Sequence, residues 1–336
     1  MSLKSSKHEN TAKNSLTNTQ STPIDTLETT LRPNTLADYI GQEHTKQHLV
    51  SIASALKRKA PLEHILLYGP PLGKTTLSGI IAHEMHAKLK ITSGAAIEKQ
   101  ADLVSILSNL EKNDIFFIDE IHRLRPAVEE ILYTAMEDGH VDIMVGKGTG
   151  AQSVRLPIVP FTLVGATTKL SSLSNPLRDR FGNIIKLDFY SEQDMKEILE
   201  KNATKLNIPS SQELLDALSV RSRGTPRIAN RLLKIMRDYS TVGEKIAEKK
   251  VFEHIFEKLG IDSYGLDYLD KKYLTTLHEK FSGGPAGLTT LAGSLGEEEA
   301  TLEEVVEPYL LQIGFLEKSP RGRKITDQAR IHLYKK

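Results

Sequence analysis

The chain has 336 residues, 39% hydrophobic and 26% charged, and its 44 Lys and Arg against 43 Asp and Glu leave a formal net charge of +1. This is a globular composition long enough for about two or three domains, and the near-neutral balance requires any nucleic-acid footprint to be local. The absence of cysteine excludes disulfides, thiolate metal sites and cysteine nucleophiles. No stretch approaches the roughly 18 uncharged apolar residues of a membrane span, and the N-terminus lacks the apolar core of a signal peptide, so a cytosolic location away from membranes is expected.

Residues 1–30 are Ser, Thr, Asn and Lys with few bulky apolar side chains and are predicted to be a disordered tail. A Pro- and Gly-containing stretch, LRPNTLADYIGQ (31–42), precedes a helix predicted over about 43–59. The stretch HILLYGPPLGKTT (64–76) then reads as a short buried strand, a Gly/Pro loop and a helix start. Glycines let backbone N–H groups approach phosphate oxygens, a lysine neutralises β/γ charge, and a neighbouring hydroxyl holds Mg²⁺. The usual phosphate loop has four residues between its first Gly and its Gly-Lys pair; Gly69–Lys74 has three.

Alternation continues with a helix to about residue 88, a strand at 89–92, a helix at 98–110 and a strand at 114–118, which predicts a parallel sheet covered by helices. The last of these strands closes in Asp119-Glu120, carboxylates at the carboxyl end of a central strand, where open α/β sheets bind ligands. In that setting Asp119 holds Mg²⁺ and Glu120 polarises the attacking water. A helix from Pro126 to Asp138 follows. Residues 139–161 read as an inserted hairpin, 161–165 as a buried strand ending in Ala166-Thr167-Thr168, and 183–189 as a last strand preceded by Arg178 and Arg180.

Beyond Tyr190 the pattern is helical, with Ser191 and Asp194 as a capping pair and helices over 212–221, 226–239 and 245–258. Arg227 falls in the first turn of one of them, where the helix dipole disfavours a cation, so an anion is its expected partner. Helices at 266–281 and up to about 312 lead to two short strands, 315–318 and 324–326, flanking SPRGR (319–323). Helices with a basic-tipped two-stranded wing describe a winged-helix domain, in which Lys318, Arg321 and Arg323 face nucleic-acid phosphates.

The strings LRPNTLADYIGQ, FFIDEIHRL, FTLVGATT, PLRDRFG, RGTPRIANRLL and GGPAGLTTLAGSLGEEEATLEEVVEPYLLQIGF, in this order, resemble the RuvB family of AAA+ ATPases. The resemblance spans about 31–326 and implies an AAA+ P-loop domain with a parallel sheet (31–190), a small helical lid domain (191–262) and a C-terminal winged-helix domain (263–336). It implies ATP and Mg²⁺ as ligands, and an ATP-driven hexameric ring that moves Holliday junctions during recombination and repair.

By the same resemblance Leu31, Arg32, Tyr39 and Ile40 frame adenine and ribose and Tyr190 closes over the nucleotide. Gly69 and Gly73 shape the loop, Lys74 binds the β/γ-phosphates, Thr75 joins Asp119 on Mg²⁺, and Thr76 lies beside it. Thr168, or its neighbour Thr167, senses the γ-phosphate, and Arg227 reaches the nucleotide from the lid. Glu137, Asp138 and Gly139 belong to the nucleotide-binding set, and Arg180, with Arg178 as the adjacent alternative, is an arginine finger acting on a neighbouring subunit. Implied partners are duplex DNA without sequence preference, RuvA through the 139–161 hairpin, RuvC, and further copies of the chain.

Departures from the family pattern are the loop GPPLGKTT in place of GPPGLGKTT, Gly139 where an aromatic is usual, and the polar tail. The shortened loop motivates an alternative, a DNA-clamp subunit that assembles but hydrolyses poorly. A clamp-loader-like switch uses the same ATPase parts but fits the winged-helix pattern less well.

Overall fold

The computed structural model describes residues 30–49, 62–145 and 152–334. The expected tail, the second half of the 43–59 helix, the hairpin tip and Lys335-Lys336 lie outside the described residues. The chain divides into compact units Met1–Arg32 and Pro33–Lys336. Every element below belongs to the second.

Five strands, β1 (Ile65–Tyr68), β2 (Leu89–Ser93), β3 (Ile115–Asp119), β6 (Thr162–Thr167) and β7 (Asn183–Lys186), form one sheet in the order β2-β3-β6-β1-β7, all parallel. Consecutive side chains on a strand point to opposite faces, so an all-apolar run requires cover on both. Ile65, Leu67, Phe117 and Val164 pack on one face with Leu77 and Ile80 of the helix Lys74–Glu84. Leu66, Phe116, Ile118 and Leu163 pack on the other with Val128 and Leu132 of the helix Pro126–Asp138. Each such burial is worth about 1.5–3 kcal/mol.

The register sets Tyr68 opposite Thr167, and Ser93 opposite Asp119, so the loop after β1, the acids of β3 and the hydroxyls of β6 share one end of the sheet. β6 runs two residues further than expected, which puts Thr167 inside the strand and Thr168 just beyond it.

The hairpin β4 (His140–Val145) and β5 (Gln152–Pro157) stands as a separate antiparallel pair with Met144 and Val154 exposed. Its first residue follows Gly139, which ends the preceding helix at φ +64°, and a Cβ there would meet only Ile158 O at 3.9 Å. The left-handed backbone, rather than crowding, is what favours glycine at this position.

Helices Glu192–Lys205, Gln212–Arg221, Pro226–Thr241 and Lys249–Lys258 form the lid, whose core of Leu199, Leu218, Leu232 and Phe252 is continuous with the first face of the sheet. Ser191 accepts from Asp194 N at 3.0 Å, the expected cap. The last of these helices begins at Lys249, four residues later than the pattern suggested.

A third core (Leu274, Leu277, Leu291, Leu310, Phe315, Leu316, Ile325) belongs to the winged-helix domain. Its wing is β8 (Leu316–Ser319) and β9 (Gly322–Ile325), so the tip is Pro320-Arg321 alone. The expected five-residue tip was too long. A backbone bridge between Ala286 and Arg323 draws Gly322 and Arg323 into the sheet.

Candidate active site

The loop after β1 needs a glycine at its first position: Gly69 has φ +121°, and a Cβ would lie 2.5 Å from Leu187 O. Gly69 N donates to Thr167 O, and Leu72 N donates to Pro70 O at 2.7 Å in a tight turn. Gly73, at φ +95°, turns the chain into the helix, whose first backbone bond is Leu77 N to Gly73 O. The amides of Gly73, Lys74, Thr75 and Thr76 have no acceptor among the described residues, and they converge where a helix N-terminus attracts anions. These donors fit a phosphate.

Lys74 Nζ bonds the loop's own carbonyls, Gly69 O at 2.8 Å and Pro70 O at 3.0 Å. Desolvation holds its pKa below the usual lysine value, while Glu120 and Asp119 oppose that shift. Asp119 accepts Glu120 N–H on Oδ1 at 3.0 Å. Its other oxygen and the Thr75 hydroxyl have no hydrogen-bond partner among the described residues, and both are oxygen donors of the kind a hard cation takes.

Glu120 occupies the left-handed region at φ 46°, an uncommon place for a side-chain-bearing residue. Its Oε2 receives Thr168 Oγ1–H at 3.2 Å and lies 3.1 Å from His122 Nδ1. Thr168 thus reaches the acid, while Thr167 is fully buried, accepts Lys169 N–H at 2.9 Å and lies 3.0 Å from His122 Nδ1. His122 was missed in the sequence, where only its place two residues after Glu120 marked it.

Tyr39 and Tyr190 are both buried and joined by a 3.2 Å hydrogen bond, with Tyr190 Oη donating. Burial drives both phenol pKa values up, so both hydroxyls stay protonated. Gln42 ties the same segment to the lid entry by bonding both backbone groups of Asp188. Ile40 is partly buried beside Tyr39, whereas Leu31 and Arg32 belong to the other compact unit.

Arg227 is exposed in the first turn of its helix and has no ion pair among the described residues. Arg180 instead folds over the Tyr133 ring, donates to Pro176 O at 2.7 Å and pairs with Glu137 at 2.5 Å. Arg178 bonds Asn175. Glu137, Asp138, Gly139 and Arg180 line one open cleft of about 570 Å³, on which His64 and Phe161 also border.

On the wing, Arg321 is exposed and without an ion pair among the described residues. Lys318 pairs with Glu303 at 2.9 Å. Arg323 departs from expectation: it is only 9% exposed and its guanidinium grips Glu307 through Nε at 2.8 Å and through a second nitrogen at 3.1 Å. Placement in β9 rather than on the tip explains the difference.

The P-loop region matches the family model described as the Holliday junction DNA helicase RuvB P-loop domain over residues 31–187. The RuvB AAA lid domain matches 190–262, and the RuvB C-terminal winged helix domain 263–334. The chain belongs to the RuvB family. It is 52% identical over 312 residues to the Holliday junction branch migration complex subunit RuvB of Fusobacterium nucleatum, covering 92% of this chain and 94% of that one. The Dehalococcoides mccartyi subunit of the same name is 53% identical over 310 residues, 91% and 89% of the two chains. Among solved structures, the Thermotoga maritima RuvB Holliday junction branch migration motor superposes with a TM-score of 0.81 at 47% identity, covering 90% of this chain and 98% of that one. The fold is accordingly an AAA+ P-loop domain, a lid and a winged helix.

Proposed function

We propose that this RuvB-family chain is an ATP-hydrolysing motor that drives branch migration of Holliday junctions in homologous recombination and DNA repair. It works as a hexameric ring on duplex DNA in the cytoplasm. The ATPase domain is 31–190, the lid 191–262 and the winged helix 263–336. The observation that carries the reading is the convergence at one end of the sheet of four free amides after Gly69, the Lys74 ammonium, and the Asp119 and Glu120 carboxylates.

ATP fits this end of the site: the amides of Gly73 to Thr76 bind its phosphates, and Lys74 transfers its hydrogen bonds from Gly69 O and Pro70 O to them. Thr75 and Asp119 hold Mg²⁺, which when bound supplies charge neutralisation at the β/γ-phosphates. Glu120 orients water, and Thr168 links that carboxylate to the γ-phosphate end of the site. By the family resemblance Leu31, Arg32, Tyr39 and Ile40 frame adenine and ribose, Tyr190 closes over the nucleotide, and Arg227 reaches it from the lid. Arg180, released from Glu137, serves the neighbouring subunit's site; fingers of this kind contribute roughly 10³–10⁵ in rate. Arg321 and Lys318 take DNA phosphates without reading bases. The 139–161 hairpin, with its exposed Met144 and Val154, docks RuvA, and RuvC joins the resolving complex.

One observation favours the clamp alternative. Leu72 N–H, spent on Pro70 O, is lost to a phosphate unless the loop reopens. Migration of a synthetic four-way junction by the full chain with RuvA and ATP, beside Lys74→Ala, tests the motor reading. Migration that requires ATP and Lys74 supports it, and junction binding without migration favours the clamp.

A further inference from the structure

We infer that His122 is a positioning residue for hydrolysis, holding the Glu120 carboxylate by one oxygen so that the other faces the attacking water; the inference rests on the ATPase reading above. His122 sits in the short turn Ile121–Arg123, which starts from the left-handed Glu120, and that reversal brings the side chain two residues on back against the acid. Nδ1 is 3.1 Å from Glu120 Oε2 and 3.0 Å from Thr167 Oγ1, with only 15% of the imidazole exposed.

The hydrogen-bond inventory selects the proton's place. Were Thr167 to donate to Nδ1, a bare ring nitrogen would face a carboxylate oxygen at 3.1 Å, lone pair against lone pair. With the proton on Nδ1, it is donated to Thr167 Oγ1, which still accepts Lys169 N–H on its remaining lone pair, and the same N–H edge lies 3.1 Å from Glu120 Oε2 as a charge-favoured contact. Thr168 Oγ1–H reaches the same Oε2 at 3.2 Å. Oε2 is therefore held from two sides, by the Thr168 hydrogen bond from just beyond β6 and by the close His122 ring from the turn after β3, while Oε1 accepts from nothing among the described residues. A carboxylate pinned at one oxygen cannot rotate freely, and Oε1 is left open to accept a hydrogen bond from water.

Steady-state ATP hydrolysis by the full chain with duplex DNA should show kcat lowered on the order of 10²-fold in His122→Ala, with KM for ATP unchanged, as expected for a misplaced catalytic group. His122→Asn, whose amide N–H replaces Nδ1–H, should recover most of the loss. Equal losses in Ala and Asn, or a raised KM at constant kcat, would overturn the assignment. A second measurement stands apart from turnover: in ¹⁵N-histidine spectra of the full chain, the resonances missing in His122→Asn should report a protonated Nδ1 and shift in Glu120→Ala. An unprotonated Nδ1 also overturns it. If the unaltered chain binds ATP without hydrolysing it, the ATPase reading fails while the spectra still decide the His122–Glu120 pairing.

Discussion

Lys74 Nζ lies 2.8 Å from Gly69 O, so the phosphate loop is closed by the side chain that a nucleotide needs. The lysine gives up two carbonyl bonds for phosphate oxygens, a favourable exchange because the ammonium then meets acceptors of opposite full charge. Lys74→Ala should weaken ATP binding by roughly 1.5–3 kcal/mol, about 10- to 100-fold in Kd, in a fluorescent-nucleotide titration. An unchanged Kd would show that the loop does not hold the phosphates.

Tyr39 and Tyr190 share a buried hydroxyl pair 3.2 Å apart. Tyr190→Phe leaves the Tyr39 hydroxyl unsatisfied and should cost about 1–3 kcal/mol in denaturant unfolding. Adding Tyr39→Phe removes the orphan, so the double variant should be no less stable than the worse single one.

Glu307 is 1% exposed and holds both Arg323 and the Tyr273 hydroxyl. Glu307→Ala leaves the Arg323 guanidinium with only Glu303, at 3.8 Å, and the Tyr273 hydroxyl without its acceptor, and should destabilise the winged-helix domain by roughly 1–3 kcal/mol. Arg321→Ala should leave stability unchanged, weaken DNA binding equally for all sequences and make the salt dependence shallower by about one phosphate contact. A sequence-selective loss would remove Arg321 from the phosphate face.

Burial raises the Asp270 carboxyl to about 6, against the pull of Arg223 and the Asp267 amide. The native state therefore binds a proton more tightly than the unfolded chain between roughly pH 4 and 6. The contribution of this group is fully present below about pH 4 and is lost as pH rises through 6. Wild type minus Asp270→Asn, followed by unfolding from pH 4 to 7, should isolate a term of up to about 3 kcal/mol with that sign.

Local chemistry was legible in the sequence where neighbours in the chain are neighbours in space. The β1–loop–helix unit, the Asp119-Glu120 strand end and the Ser191 cap each lie within a few residues. Partners set by tertiary packing were not. Arg323 reads as a wing-tip cation because Glu307, 16 residues earlier, meets it only after the wing folds onto that helix. Arg180 likewise reads as a free finger, although Glu137 of the helix Pro126–Asp138 holds it. The Oε2-only pinning of Glu120 depends on β6 lying beside β3, a pairing of segments more than forty residues apart.

On the proposed reading, a loop one residue short still supports an ATP-driven motor. Steady-state ATP hydrolysis with and without duplex DNA tests it most directly, comparing the chain as it stands, Lys74→Ala, and a version with Gly inserted between Pro71 and Leu72. DNA-stimulated turnover in the unaltered chain that Lys74→Ala abolishes is the result expected. Turnover no higher than that of Lys74→Ala, restored only by the inserted glycine, would contradict the motor and leave a clamp.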